Sequence, residues 1–576
     1  MVSFLCRQVY IGFYGSVLSL SLVGCQQSSP TTLKPERSQQ AMVVSAHPLA
    51  TETGIAMLKT GGNAIDAAVA TALAISVVEP FSAGLGGGGF VLLRREATGE
   101  VQALDFRERA PKQARRDLYL DRTGKVLKRA SLDGHLAVAV PGTVAGLATL
   151  HRLYGKLPWA EVVAPAIALA AKGFPVSPRF VKVVEMRQAA IAQNAAARQI
   201  FTRNGHPYQV GETLVQRDLA QVLRAIAQDP QSFYTGSIAR AVAADMAKHG
   251  GLITLEDLKN YTPIWRSPIC GNFRSYRVCS MPPPSSGGVA LMEILKMIEG
   301  EDLSAWGPQH PDTLHLLAEA MKIAYADRAE YLGDPEFVSV PVRSLIGRRY
   351  ALKRRQEIDM GRARSAQEVK PLDAKMLGRF AGESPETTHL TVVDRDRNAV
   401  SLTFTVNGGF GAGVVAAGTG ILLNNEMDDF AAAPGSPNLY GLVGGEANAI
   451  APGKTPLSSM TPAIVTEQGQ LRLAVGAPGG STIITTVLQL ILNVLVYNLD
   501  AGAAVSAPRL HQQWLPDRLM VEPRGFDPTV LSELRRRGHQ IQERDRWGNA
   551  NLVVVTPNGW LEGAADPRGE GVAKGF

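Results

Sequence analysis

A charged stretch, residues 351–386, runs straight into a strand-like core segment, and this junction constrains the chain more than any other feature. The stretch is poor in large apolar residues and ends Gly382-Glu383-Ser384-Pro385-Glu386. It gives way at once to Thr387-Thr388-His389-Leu390-Thr391-Val392-Val393, which is β-branched and apolar. A solvated linker that enters a buried strand directly is unusual at a domain boundary. It is expected if the first residue of the strand must become a free chain end. A Thr hydroxyl is a poor nucleophile without a base beside it, and the residue's own α-amine is one such base. That amine has a reference pKa of about 8. Its use requires cleavage of the Glu386–Thr387 bond, which the Thr387 hydroxyl can itself attack to give an ester that water opens. On this chemistry alone, a purely structural strand threonine is the other reading.

The pattern on the two sides of the junction differs. Helical periodicity dominates to about residue 350, at 64–78 behind the cap Gly61-Gly62-Asn63, and at 142–154, 159–172, 217–228, 237–248 and 311–332. Strand-like runs at 90–93 and 101–106 interrupt it. From 387 onward strands prevail, with 388–393 and 399–406 flanking the turn Asp394-Arg395-Asp396-Arg397-Asn398 and others at 420–423, 463–465, 471–475 and 552–556. The apolar run 483–499 carries Thr486, Gln489, Asn493 and Tyr497 at near-helical spacing, a buried helix with a polar stripe rather than a membrane span. Gly84-Leu85-Gly86-Gly87-Gly88-Gly89 satisfies G-x-G-x-x-G but follows a helix and precedes a strand, the reverse of a dinucleotide fingerprint. Tight backbone packing is expected there. Asp394-x-Asp396-x-Asn398 begins like a calcium loop, yet Ala399 and Thr405 occupy the sixth and twelfth positions, so it reads as a turn.

Composition narrows the function classes. With 45% apolar and 19% charged residues among 576, disorder is excluded as the main state, and 4 Cys exclude a disulfide scaffold. The net charge of +7 is a mild excess, and Arg535-Arg536-Arg537 and Lys353-Arg354-Arg355 are expected to be solvated helix faces, so nucleic acid is not an expected partner. From residue 387 onward there are 14 basic and 17 acidic residues, so the surplus belongs to the first 386. Residues 1–24 carry Arg7, no acid and an apolar run of about 15 residues, short of the ~20 needed to span a bilayer. Leu22-Val23-Gly24-Cys25 reads as a lipobox with Cys25 as the lipidated residue, and residues 26–41 include a polar tether. A plain secretory signal is the alternative; export to the periplasm, with an optional lipid anchor, follows from both. Cys270 and Cys279 flank what reads as two short strands around a turn, where a bridge and two unpaired thiols are both open.

Several motifs, in one order, together resemble the γ-glutamyltranspeptidases. They include Gly61-Gly62-Asn63-Ala64-Ile65-Asp66-Ala67-Ala68, Asp105-Phe106-Arg107-Glu108 and Pro141-Gly142-Thr143. The match continues through Thr387-Thr388-His389-Leu390-Thr391-Val392-Val393-Asp394, Asn407-Gly408-Gly409-Phe410-Gly411 and Gly420-Ile421-Leu422-Leu423-Asn424-Asn425-Glu426-Met427-Asp428-Asp429-Phe430. It ends with Pro456-Leu457-Ser458-Ser459-Met460-Thr461-Pro462 and Ala477-Pro478-Gly479-Gly480-Ser481. The resemblance covers about 42 to 576 and implies an α+β fold, the four-layer αββα sandwich of the N-terminal-nucleophile hydrolases, built from two autocleaved fragments. Residues 1–25 would be the signal region, 42–386 a large subunit with 351–386 as a linker to the cleavage site, and 387–576 a small catalytic subunit. The two would interleave as a heterodimer in one fold.

What the resemblance implies for the site is specific. Thr387, freed from Glu386, would attack a γ-glutamyl carbonyl, with Thr405 hydrogen-bonded to its amine and the Gly479 and Gly480 N–H groups holding the oxyanion. Arg107, Ser458 and Ser459 would take the α-carboxylate, and Asn407, Glu426 and Asp429 the α-ammonium; Tyr440, in the run 434–445, would gate the cleft. The activity would be removal of the γ-glutamyl group from glutathione and related amides and its transfer to water, amino acids or peptides, with no metal or organic cofactor. A glutaryl (cephalosporin) acylase of the same superfamily and a non-catalytic lipoprotein binding module are the alternatives. Gly408-Gly409 and Glu426 depart from some bacterial members, which bears on the acceptor.

Overall fold

The computed structural model describes residues 33–371 and 387–576; Cys25 and Glu386 lie outside the described residues. Two seven-stranded, all-antiparallel sheets face one another, each with helices on its outer side. One sheet runs in the order Val572–Gly575, Met42–Ser45, Thr388–Val393, Ala399–Thr405, Gly88–Arg94, Val101–Phe106, Ile264–Arg266. The other runs Glu36–Ser38, Leu561–Ala565, Asn551–Val555, Gln470–Gly476, Ala463–Glu467, Tyr276–Ser280, Ile269–Phe273. Helices Pro48–Lys59 and Ala64–Val78 cover the first, and Gly287–Ile298 and Thr482–Leu495 cover the second. This is the expected αββα arrangement. Each of these two sheets mixes strands from both sides of residue 387, so neither portion of the chain completes either of them alone.

Strand Thr388–Val393 is central to its sheet, paired with Ala399–Thr405 on one side and Met42–Ser45 on the other. Both of its faces are buried, which explains its continuous β-branched and apolar run. Leu390 and Val392 pack with the Ala64–Val78 helix, whereas Val393 joins the core between the sheets. On the inter-sheet side His389 bonds Thr403 Oγ1 at 2.8 Å and Thr391 Oγ1 at 3.0 Å, and burial lowers its pKa to about 3. It is a neutral packing residue rather than a base.

Local signals set the surrounding elements. Asn63 caps Ala64–Val78 reciprocally with Asp66, and Asp394 of the hairpin accepts from the Ala64 N–H at 3.0 Å while closing its own turn onto Asp396 and Asn398. The calcium-like spacing is therefore a turn that also ties the hairpin to the helix. The glycine run holds backbone against backbone: a Cβ on Gly86 would lie 2.1 Å from Leu422 O, and one on Gly87 only 1.9 Å from Thr405 O. Cys270 and Cys279 stand directly opposite in the Ile269–Phe273/Tyr276–Ser280 hairpin and are disulfide-bonded, which resolves the open alternative.

Three expectations need correction. Residues 351–371 are not a solvated linker: Ala351, Ile358, Ala366 and Val369 are buried, and Trp514 Nε1 donates to the Ala366 and Val369 carbonyls. Nor is Lys353-Arg354-Arg355 a wholly solvated face, because Arg354 is buried between Asp327 and Glu357. Arg354 and Arg364 are paired with carboxylates inside the fold, which a count of charged residues does not reveal. The helix of the 483–499 run stops at Leu495, so Tyr497 lies beyond it.

Because Gly87 sits against Thr405, Gly87→Ala should displace that strand end and destabilise the protein by about 1–3 kcal/mol or more. The expected readout is a lowered thermal midpoint together with slowed cleavage at Glu386–Thr387. An unchanged midpoint would show that the close approach is not obligatory.

Candidate active site

Thr387 immediately precedes strand Thr388–Val393 and lines a small, almost filled cleft. Around it stand Arg107, Thr405, Asn407, Glu426, Asp429, Tyr440, Ser458, Ser459 and Gly480, with Leu442, Met460 and Ile483 as apolar walls. Apart from Cys25 and Glu386, the candidate site residues thus meet in one place, Gly479 lying next to Gly480 in sequence. They arrive from separate elements: a strand end (Thr387), its hairpin partner's end (Thr405), the residue after strand Val101–Phe106 (Arg107), and a 3₁₀ turn, Glu426–Asp429. Neighbouring strand ends bring them together.

The Thr405 hydroxyl lies 3.4 Å from that of Thr387 and accepts from the Asn407 N–H at 2.7 Å, so a fixed donor orients it. Asn407 holds a left-handed backbone, φ +73°, which Asn tolerates better than most residues. Its side chain donates to Asn425 O at 3.0 Å and accepts from the Tyr440 hydroxyl. Gly479 and Gly480 both have positive φ, +136° and +54°, directly before helix Thr482–Leu495. Successive left-handed residues at a helix N-terminus suit an anion. Tyr440 packs over Gly480, where a Cβ would meet the ring at 2.2 Å. Its loop is tied to the acid turn: Asn438 donates to Asp429 at 2.8 Å, and the Leu439 N–H to Asp428 at 2.6 Å.

The charges are paired within the site. The buried Arg107 guanidinium binds Glu426 through one nitrogen and Asp429 Oδ2, at 2.5 Å, through another. The residue assigned to a carboxylate and two assigned to an ammonium therefore hold one another. Ser458 Oγ accepts from the Met460 N–H at 3.0 Å, and Ser459 Oγ faces Arg328.

Sequence reading left out Glu108, although its motif was recognised. This residue is fully buried 3.8 Å from Arg107 and stands over Gly88, where a Cβ would come within 2.6 Å of its carboxylate. Burial raises Glu108 to about 7, and burial with the nearby carboxylates holds Glu426 well above its usual range. Burial thus favours the protonated form of both acids. Asn424 was also passed over; its side chain accepts from the Ala139 and Glu426 N–H groups and donates to Gly86 O and Ala139 O. It locks the acid turn to the glycine run. The only available signal for either was membership in a recognised motif.

The sequence profile of the gamma-glutamyltranspeptidase family matches residues 50–576. The chain belongs to that family. It is 47% identical to the glutathione hydrolase proenzyme of Escherichia coli K12, over 93% of this chain and 91% of that one. It is 39% identical to the acylase ACY 1 proenzyme of Pseudomonas sp. V22, over 93% and 94%. Among solved structures it resembles cephalosporin acylase from Bacillus halodurans, with a TM-score of 0.83, 31% identity, and coverage of 97% of this chain and 99% of that one.

The raised Glu108 carboxyl has a pH signature. Between about 4.5 and about 7 the folded Glu108 keeps a proton that the unfolded chain releases, so stability falls as pH rises through this window. Glu108→Gln should remove about 2 kcal/mol of that fall, read as the change in urea-unfolding free energy between about pH 5 and about pH 7.5. Equal slopes in both proteins would rule out a raised Glu108 carboxyl.

Proposed function

We infer that this chain is a self-cleaving γ-glutamyltransferase that acts on glutathione and other γ-glutamyl amides. Family membership and the glutathione hydrolase proenzymes it resembles support the reaction class. One structural observation carries the substrate reading: the cleft containing Thr387 also holds Arg107 bonded to Glu426 and Asp429. A γ-glutamyl group ends in an α-carboxylate and an α-ammonium, itself an ion pair. Its carboxylate replaces the acids on Arg107, with Ser458 and Ser459 as further donors, while Glu426, Asp429 and Asn407 turn to its ammonium. This exchange buries no net charge and leaves no ion unpaired.

The steps follow from the geometry. In the precursor the Thr387 Oγ adds to the Glu386 carbonyl, the C–N bond breaks, and the freed α-amine takes a proton. Water then opens the ester, leaving Thr387 as an N-terminus. In turnover this amine accepts the hydroxyl proton as Oγ adds to the γ-carbonyl. Thr405 holds the nucleophile, and the Gly479 and Gly480 N–H groups stabilise the oxyanion, a contribution of about 3 kcal/mol for each good donor. Collapse expels the amine leaving group, which takes the proton, and water or an acceptor amine releases glutamate or a new γ-glutamyl amide. Tyr440 closes the cleft from above, and the mixed sheets keep the two fragments together after cleavage.

The acylase resemblance motivates a second reading. A glutaryl group supplies the carboxylate but no ammonium, so Glu426 and Asp429 would be displaced from Arg107 with no cation to receive them. Such a buried loss is costly, and it favours the γ-glutamyl substrate. The acidic turn also argues against a passive binding module, because it lies beside Thr387. Export, by the leader ending at Cys25, remains part of this proposal and rests on the sequence pattern alone.

Purified wild-type protein should run as two fragments on a denaturing gel, and Thr387→Ala as one. An uncleaved wild type would refute the mechanism. Asp429→Ala should still cleave itself yet lose at least about 100-fold in turnover of a γ-glutamyl anilide; retained turnover would refute the ammonium role. Wild type should prefer this anilide over a glutaryl anilide, and the reverse order would favour the acylase reading.

A further inference from the structure

Behind Ser458 and Ser459 lies a second guanidinium that the reaction above does not use. Arg328, on helix Pro311–Tyr331, is buried, 4% exposed. Its Nε donates to Ser286 Oγ at 3.0 Å and one terminal nitrogen reaches Ser459 Oγ at 3.5 Å. Ser286 in turn donates to the Ser458 carbonyl twice, from its N–H at 2.8 Å and its hydroxyl at 2.7 Å. Arg328 therefore holds both members of the serine pair, one directly and one through Ser286.

Its environment sets it apart from other buried arginines. Arg107, Arg354, Arg509 and Arg568 each have carboxylates within ion-pair distance. Among the described residues Arg328 has no such partner, and its side chain bonds to the neutral hydroxyls of Ser286 and Ser459. Desolvation accordingly lowers its pKa, with Asp429 acting on it only through space. A buried cation without a counter-ion is costly and would be expected to persist where an anion completes it. Both Ser459, whose hydroxyl it holds, and Arg107, whose charge it feels, line the same end of the cleft.

We propose that Arg328 is a positioning and specificity-determining residue for the substrate carboxylate: it holds the Ser459 hydroxyl directly and the Ser458 backbone through Ser286, and supplies a second positive charge behind them. This rests on the γ-glutamyl reading and deepens it. Arg107 and Arg328 set two positive charges beside Asp429, Glu108 and Glu426, the last two of which burial holds toward the protonated form. Arg328 thus offsets the acid reserved for the ammonium. The zwitterionic head then enters this site, drawn at one end by two guanidinium groups.

Three anilides separate the possibilities: γ-glutamyl, glutaryl (no ammonium) and 4-aminobutyryl (no carboxylate). In the full processed protein, Arg328→Gln should raise KM about tenfold or more for the γ-glutamyl substrate. Its kcat should change less than threefold, and kcat/KM for the 4-aminobutyryl anilide should stay within twofold. Arg328→Lys, which keeps the charge without the fork, should recover part of the discrimination. If Arg328→Gln fails to cleave itself, Ser286→Ala breaks the link to Ser458 while leaving the charge. It should raise KM severalfold for the carboxylate-bearing anilides alone. An equal loss on all three anilides, or undiminished preference for a carboxylate, overturns the proposal. If wild type itself does not prefer γ-glutamyl over 4-aminobutyryl, the γ-glutamyl reading has failed instead.

Discussion

The buried attachment of Arg107 to Glu426 and Asp429 is the interaction on which the site depends. Arg107 follows a strand of the first part of the chain, and both acids come from a 3₁₀ turn of the second. Removing either side leaves a charge without its partner in a water-poor cleft, which typically costs several kcal/mol. The surrounding structure serves this pairing. Asn424 fixes the turn to the glycine run, Gly88 makes room for Glu108, and Asn438 with Leu439 fastens the Tyr440 loop to Asp429 and Asp428 of the same turn.

On the proposed γ-glutamyl reading, a site built this way recognises its ligand by exchange. The acids and the guanidinium already satisfy one another, so a ligand must bring both signs to displace them without loss. Selectivity for an amino-acid head therefore does not require a tight steric fit. The same logic accounts for a cleft lined by so many polar groups next to a hydroxyl nucleophile whose own base would be an uncharged amine. The nucleophile needs a neutral neighbourhood, and the internal pairing provides it.

Much of this was legible in the chain. The Thr-rich strand beginning at 387, the capped helix from Ala64 and the hairpin around Asp394 follow from local patterns, and the structure places them as expected. The resemblance nominated residues that do share one cleft. Residues 351–371 and Arg354 went the other way, because charged side chains look solvated until their partners are seen. Glu108, Asn424 and Arg328 were missed for a related reason. An acid, an amide and an arginine carry no signal of burial in one sequence, and their importance comes from neighbours far along the chain.

By itself the sequence determined the class of chemistry and the order of the parts: a threonine poised to become an N-terminus, two chain portions and a recognisable set of polar motifs. Those properties are local, set by hydrogen-bonding caps, β-branched runs and the α-amine that cleavage would release. Only the tertiary structure decided which charges neutralise which, that Glu108 and Glu426 are buried together beside Arg107, and that Arg328 is left without a carboxylate partner among the described residues. Such properties depend on distance and burial, and in this fold they arise where strands from both portions of the chain end side by side.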